Sequence, residues 1–298
     1  MSGRALAALA ARARPLRERY GRIWYKFSRK SLSVVGLAVI VVTILAAILA
    51  PLISPYPEHA GPFVDLITGA KPPSGAHLLG TDIYGRDILS RIIFALRPAL
   101  LTGIVVLAIV VPIGTVLGLI AGYSAGRFAD TAVMRVTDIF LGLPPLILAL
   151  AVSSVLKPNL FNSMVAVSVA FWPWYARLVY GMVSSVRNEY YIRSAELMGE
   201  SRAHILFREI LPNCISPIFT KVTLDFGWVI ILSASLSFVG LGEQPPTPSL
   251  GTMVAEGSRY LPDQWWTAVF PALAIVLLVL GFNLVGDGLR DALASEEG

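Results

Sequence analysis

Six stretches of this chain are apolar for long enough to cross a lipid bilayer, and no other feature limits its fold so severely. They run from Leu32 to Ile53, Ala99 to Tyr123, Val133 to Leu156, Phe161 to Val183, Pro217 to Leu241 and Trp266 to Leu289. A spanning helix needs roughly 20 residues to cross ~30 Å of hydrocarbon. In lipid every backbone N–H and C=O must find a partner within the protein, which leaves helices and closed barrels, and these runs lack the alternation of barrel strands. The expectation is an all-α polytopic membrane protein with six transmembrane helices. Only 14% of the 298 residues are charged and 55% are hydrophobic, whereas a soluble domain carries about a quarter charged residues.

Charge then sets the orientation. With the N-terminus inside, only Lys71, Arg86, Arg91, Arg97, Lys157 and Arg259 of the 24 Lys and Arg lie outside. The positive-inside rule therefore puts both termini in the cytoplasm. The basic segment 1–31 leads into an apolar run too long for a signal-peptide core, and that run ends in APLISPYP without a small-residue cleavage site. It reads as an uncleaved anchor with its basic flank on anionic lipid. The formal net charge of +5 then reports membrane orientation, and no nucleic-acid partner is expected.

Few residues suggest chemistry. Cys214 is the single cysteine, so no intrachain disulfide forms. His59, His77 and His204 are far apart in sequence, and no metal site built by this chain alone is expected. Arg135, Asp138, Lys221, Asp225 and Asp287 fall near the inside ends of spans. An intramembrane charge is a functional candidate by default, but the i, i+4 spacing of Lys221 and Asp225 favours pairing and anchoring at the interface. Trp24, Trp172, Trp174, Trp265 and Trp266 near span ends read as interfacial anchors.

The connections differ in character. Segment 54–98 is a long outside loop and 242–265 a second one, whose QPPTP excludes regular helix. Segment 184–216 is a hydrophilic inside insertion, EYYIRSAELMGESRAHILFREILPN at its centre, which reads as two helices broken at Gly199. Ala195 and Gly199 stand i, i+4, a spacing that suits close approach by another protein's surface. An amphipathic helix lying on lipid fits the same residues, and residue physics alone leaves the two readings even.

That insertion resembles the EAA loop of ATP-binding-cassette importer permeases, a Glu-Ala-Ala with a Gly four residues on and a downstream Ile-Leu-Pro. Ser194, Ala195, Gly199, Ile210, Leu211 and Pro212 fit the pattern. Arg193 stands where the motif has Glu, and Glu196 is the nearby carboxylate. GTDIYGRDILSR (Gly80 to Arg91), LGLIAGYSAGRFADTAVMRVTDIFLGLPPLILAL, LSFVGLGEQPPTPSLGTM and FNLVGDGLRDAL are similar to segments of the dipeptide/oligopeptide/nickel permease family, most closely its C-type subunit. The likeness covers the chain from about Arg22 onward.

The resemblance implies a type I importer permease fold over 32–289, with 290–298 as a cytoplasmic tail. It also implies a bacterial or archaeal inner-membrane location, a second homologous permease, two cytoplasmic ATPases and an extracytoplasmic binding protein. No GxxxxGK[ST] loop is present. No cofactor is expected on this chain, ATP and Mg²⁺ belonging to the ATPases. Glu189, Arg193, Ser194, Ala195, Glu196, Gly199 and Ile210 to Pro212 form the expected coupling element. Gly80, Thr81, Asp82, Gly85, Arg86, Asp87 and Arg91 form the outside family motif, expected to brace the second span more than to touch substrate. A peptide is the expected cargo, with a nickel chelate or other small solute as the alternative within the family. A stand-alone secondary transporter and a membrane enzyme are the other classes, the latter disfavoured because no Ser/His/Asp, Cys/His or metal constellation is visible.

Overall fold

A computed structural model describes residues 21–67 and 69–294; most of the basic N-terminal segment lies outside them. The main helices are α1 (Ser31–Ile48), α2 (Ile88–Tyr123), α3 (Phe128–Leu141), α4 (Pro145–Val155), α5 (Leu160–Val186), α6 (Tyr190–Leu197), α7 (Arg202–Phe238), α8 (Leu250–Ser258) and α9 (Trp266–Ala294). Among the described residues the only β-type pairing outside helices is an isolated bridge between Thr81 and Asp87.

Four helices, α1, α2, α7 and α9, are each long and apolar enough to cross a membrane. The run Val133 to Leu156 is not one straight span: α3 and α4 meet at a 91° bend, and the pair counts as a fifth crossing only if taken together. Leu143 and Pro144 both precede prolines, which disfavours helical backbone at two successive positions and breaks the run. The run Phe161 to Val183 lies within α5, whose 27 residues reach about 40 Å. Trp172, Pro173, Trp174, Tyr175 and Arg177 dilute its apolarity, so α5 does not join the four. The described residues thus hold four clear spans, or five, where six apolar runs are legible in the sequence.

Helix limits also differ from the expected loops. Helix α2 starts at Ile88, so the last part of segment 54–98 is already helical, and Pro98 and Pro112 sit inside the helix without ending it. Proline is tolerated there because packed neighbours and Ser/Thr side chains compensate the freed backbone groups. Helix α7 runs unbroken past residue 216, its stretch Ile205–Ile210 winding as a π-helix just before Pro212. Segment 242–265 holds α8.

Small residues bring the spans together. Gly114, Gly118 and Gly122 line one face of α2 at i, i+4 spacing against α5; a Cβ on Gly114 would meet Tyr175 Cβ at 2.5 Å, and one on Gly118 the Ala176 carbonyl at 2.6 Å. Helices α1 and α9 approach as closely, where a Cβ on Gly36 would meet Leu284 Cβ at 2.6 Å and one on Gly288 would meet Ser33. In lipid, where apolar burial gives helices no mutual attraction, such close packing supplies much of the association. Lys30 pairs with Asp291, so the start of α1 and the end of α9 share one end of the bundle.

Three of the five charges near the inside span ends, Asp138, Lys221 and Asp225, are paired. Lys221 Nζ lies 3.0 Å from Asp225 Oδ2 one turn along α7, and Arg177 of α5 pairs with Asp138 of α3. Trp266 departs from the expected interfacial role. It is buried, and its indole N–H donates to the Thr81 carbonyl at 3.2 Å, so its polar edge faces the protein.

Candidate functional site

The two ends of the bundle carry the two groups of candidate residues. At one end the turn Gly80 to Asp87 folds back on itself through glycines at positive φ, Gly80 at 81° and Gly85 at 75°. Asp82 organises the turn: its Oδ1 accepts the Tyr84 and Arg86 backbone N–H groups, each at 2.9 Å, and its Oδ2 accepts Arg86 Nε at 2.7 Å. Arg86 reaches Glu256 of α8 at 3.2 Å, tying the turn to the second loop of this end.

Asp87 is buried and caps α2. Its Oδ2 accepts the Ser90 N–H at 2.8 Å and the Ser90 hydroxyl at 2.7 Å, and its Oδ1 lies 3.0 Å from His77 Nδ1. An aspartate at this position satisfies orphan N–H donors and complements the helix dipole. The Asp87 N–H donates to His59 Nδ1 at 2.8 Å, and Arg91 donates to the His59 carbonyl at 3.3 Å. Burial holds the His59 imidazole below its ordinary pKa of 6.5, the nearby carboxylates opposing it more weakly. Neutral His59 keeps Nδ1 free to accept. Tyr56 stacks on His59 and His59 on Phe63, with ring centroids 5.0 and 3.9 Å apart.

All seven residues of the GTD/GRD motif therefore meet in one braced turn. His59, His77, Glu256 and Trp266 join it without any signal in the sequence, since Glu256 bonds Arg86 across 170 residues and Trp266 bonds Thr81 across 185.

At the other end α6 and the start of α7 form the insertion. Gly199 ends α6 at φ 82°, its N–H donating to the Glu196 carbonyl at 3.1 Å and the Glu200 N–H to the Ala195 carbonyl at 3.1 Å. This is a glycine helix stop, where positive φ costs glycine nothing. Ser201 then caps α7. Ile192 and Ala195 are buried against the bundle, while Tyr190, Leu197 and Met198 are 87%, 89% and 76% exposed. Ala195 thus faces inward and does not share an open surface with Gly199; the outward face belongs to the three large apolar residues, which the EAA pattern does not point to.

Arg193, Ser194 and Glu196 are exposed. The Tyr123 hydroxyl donates to Glu196 Oε1 at 2.6 Å and Arg187 donates to the Ala125 carbonyl at 3.1 Å, fastening the insertion to the end of α2. Burial, then the charge of Glu189, pushes the Tyr191 phenol above its usual pKa, and its oxygen accepts from Asn213 at 3.3 Å. Ile210 is buried, and Leu211 and Pro212 open the α-helical part of α7. Among the described residues no three His, Cys, Asp or Glu side chains are grouped to hold a metal.

Residues 114–296 match the family described as the binding-protein-dependent transport system inner membrane component, and residues 19–73 match the N-terminal transmembrane domain of oligopeptide transport permease C. The chain is 41% identical over 267 residues to a probable D,D-dipeptide transport system permease protein of Escherichia coli, covering 90% of this chain and 88% of that one. It is 39% identical over 282 residues to a dipeptide transport system permease protein of Haemophilus influenzae, covering 94% of each. It is 40% identical to a glutathione transport system permease protein of Pectobacterium atrosepticum over 95% of this chain and 93% of that one. In fold it is similar to a chain of the MetNI methionine ABC transporter in an inward-facing form, with TM-score 0.50 and 20% identity over 66% of this chain and 90% of that one.

Proposed function

The chain belongs to the family of binding-protein-dependent transport system inner membrane components, and from that premise we propose that it is a permease subunit of an ATP-driven importer of small peptides. Relatives named for D,D-dipeptide, dipeptide and glutathione transport support a short peptide as cargo. A binding protein would deliver the cargo from outside, a second permease would complete the path, and two ATPases carrying ATP and Mg²⁺ would supply the energy.

The observation that carries the reading is the insertion between α5 and α7. It is a short charged element that turns Tyr190, Leu197 and Met198 outward, an arrangement suited to a soluble partner's groove. We assign ATPase docking to that face and place both termini on the same, cytoplasmic side, which the Lys30–Asp291 pair supports. A push on α6 passes to α2 through Tyr123 and Glu196, and to α7 through the Gly199 turn and the continuous helix beyond it. Alternating access requires such a link between a docking surface and packed spans with two arrangements. The GTD/GRD turn would hold the opposite end of α2 while the docking end moves.

The test is uptake of a labelled dipeptide into proteoliposomes holding this chain, its partner permease and the ATPases, with binding protein added. Uptake should require ATP and vanish when this chain is reconstituted alone. Leu197→Glu with Met198→Glu should leave the helices inserted and cut uptake roughly tenfold, the equivalent of ~1.4 kcal/mol of docking free energy. ATP-independent uptake by the chain alone would overturn the reading.

A further inference from the structure

A cavity of about 490 Å³ opens where the end of α2, the α2–α3 turn, the end of α5 and the insertion meet. Arg127, Arg187, Arg193 and Arg202 line it, together with Glu196 and Glu200. Glu196 accepts from Tyr123 at 2.6 Å and keeps its charge, and Glu200 lies 3.5 Å from His204 Nδ1. Arg187 uses one nitrogen on the Ala125 carbonyl. Among the described residues, the side chains of Arg127, Arg193 and Arg202 make no hydrogen bond or ion pair to a protein group.

Four guanidinium groups against two carboxylates leave the cavity with a net positive charge, which attracts an anion. Planar guanidinium forks match phosphate oxygens bidentately, and arginine is the residue suited to that recognition. Depth adds the second constraint. The cavity begins at Tyr123, where an apolar membrane-spanning helix ends, and Phe128 beside it is 88% exposed. The end of an apolar spanning run favours a place near the lipid headgroups, and basic pockets there attract anionic ones.

We propose that this cavity binds a phosphate-bearing anion, and that in the membrane the ligand is the headgroup of an anionic phospholipid. Held there, the headgroup bridges Arg127 on the α2–α3 side to Arg193 and Arg202 on the insertion, adding a lipid-dependent tie between the spans and α6. The inference rests on the cavity alone and is independent of what the protein transports.

The experiment is native mass spectrometry and thermal stabilisation of the purified full chain with phosphatidylglycerol, phosphatidylcholine or inorganic phosphate. Phosphatidylglycerol should stay bound and stabilise the protein, phosphatidylcholine should not, and millimolar phosphate should fail to displace the lipid. Arg127→Gln, Arg193→Gln and Arg202→Gln combined should weaken phosphatidylglycerol binding roughly a hundredfold, with Arg259→Gln at the opposite end as the unchanged control. If the triple variant misfolds, Arg193→Gln and Arg202→Gln singly should each weaken binding roughly fivefold. Displacement by inorganic phosphate would keep the phosphate site and assign it to a soluble anion. Unchanged phosphatidylglycerol binding in the variants would overturn the proposal. So would loss of ATPase co-purification with lipid binding intact, an outcome that assigns the arginines to an acidic protein segment.

Discussion

Gly80 and Gly199 adopt nearly the same backbone angle, φ 81° and 82°, at opposite ends of the bundle and in opposite surroundings. A Cβ on Gly80 would meet the Trp266 ring and the Lys71 carbonyl, each at 2.7 Å, whereas a Cβ on Gly199 would meet nothing within 4 Å. The charges follow the same division. Around Gly80 they are buried or half-buried and paired, Asp82 with Arg86 and Asp87 with His77; around Gly199 Arg193 and Arg202 are exposed and the large apolar residues point outward. One end has completed its contacts within the chain. The other leaves large apolar and charged side chains exposed, as the proposed docking role requires.

The largest expected effect is at Asp87. Asp87→Ala removes the α2 cap and leaves the Ser90 N–H and His77 without their acceptor, and it should cost about 3–5 kcal/mol, the scale for breaking a buried pair. Thermal melts of the purified protein measure this; Glu196→Ala, which breaks one exposed contact, should cost under about 1 kcal/mol. Equal losses would break the distinction between a closed and an open end.

Gly80→Ala and Gly199→Ala sharpen it. Both carry about 1–2 kcal/mol of left-handed strain, but only Gly80→Ala adds roughly 1–3 kcal/mol of overpacking against Trp266 and Lys71. The Gly80 variant should therefore melt lower. Matching melting temperatures would mean that the GTD turn yields as easily as the insertion.

The smallest expected effect is the pH dependence of the closed end. His59 is neutral in the fold, with its pKa lowered by burial. Its contribution is therefore fully present above the ordinary value of 6.5 and declines as pH falls through the lower folded value, because protonation is easier in the unfolded chain. Melting temperature should fall on acidification from 6.5 down through the lower folded value, and less steeply in His59→Gln. A wild-type profile with no acid decline would show that His59 does not act as a neutral acceptor for the Asp87 N–H.

Much of the architecture was legible in order. Apolar length announced helices, Gly199 announced the break in the insertion, and the i, i+4 spacing of Lys221 and Asp225 announced their pair. Local rules read such features because their partners lie within one or two turns. The bend between α3 and α4 was legible in kind, since Leu143 and Pro144 each precede a proline, but apolar length outweighed it in the reading of one span. The outward face of α6 was not legible. Choosing between Ala195 and Leu197 requires knowing which side of the helix meets the bundle, and eight residues of helix fit several rotations.

Residue order by itself thus determined that this chain must be helical in lipid and where its polar insertions fall, because backbone satisfaction in hydrocarbon and apolar length are properties of contiguous segments. Only the tertiary structure decided that Glu256 and Trp266 close the GTD/GRD turn, that Ala195 faces inward, and that four arginines from three separate segments surround one cavity. Those facts depend on how distant segments pack, and packing is set by the combined shapes of helices whose close approaches, as at Gly36, Gly114 and Gly118, no single segment specifies.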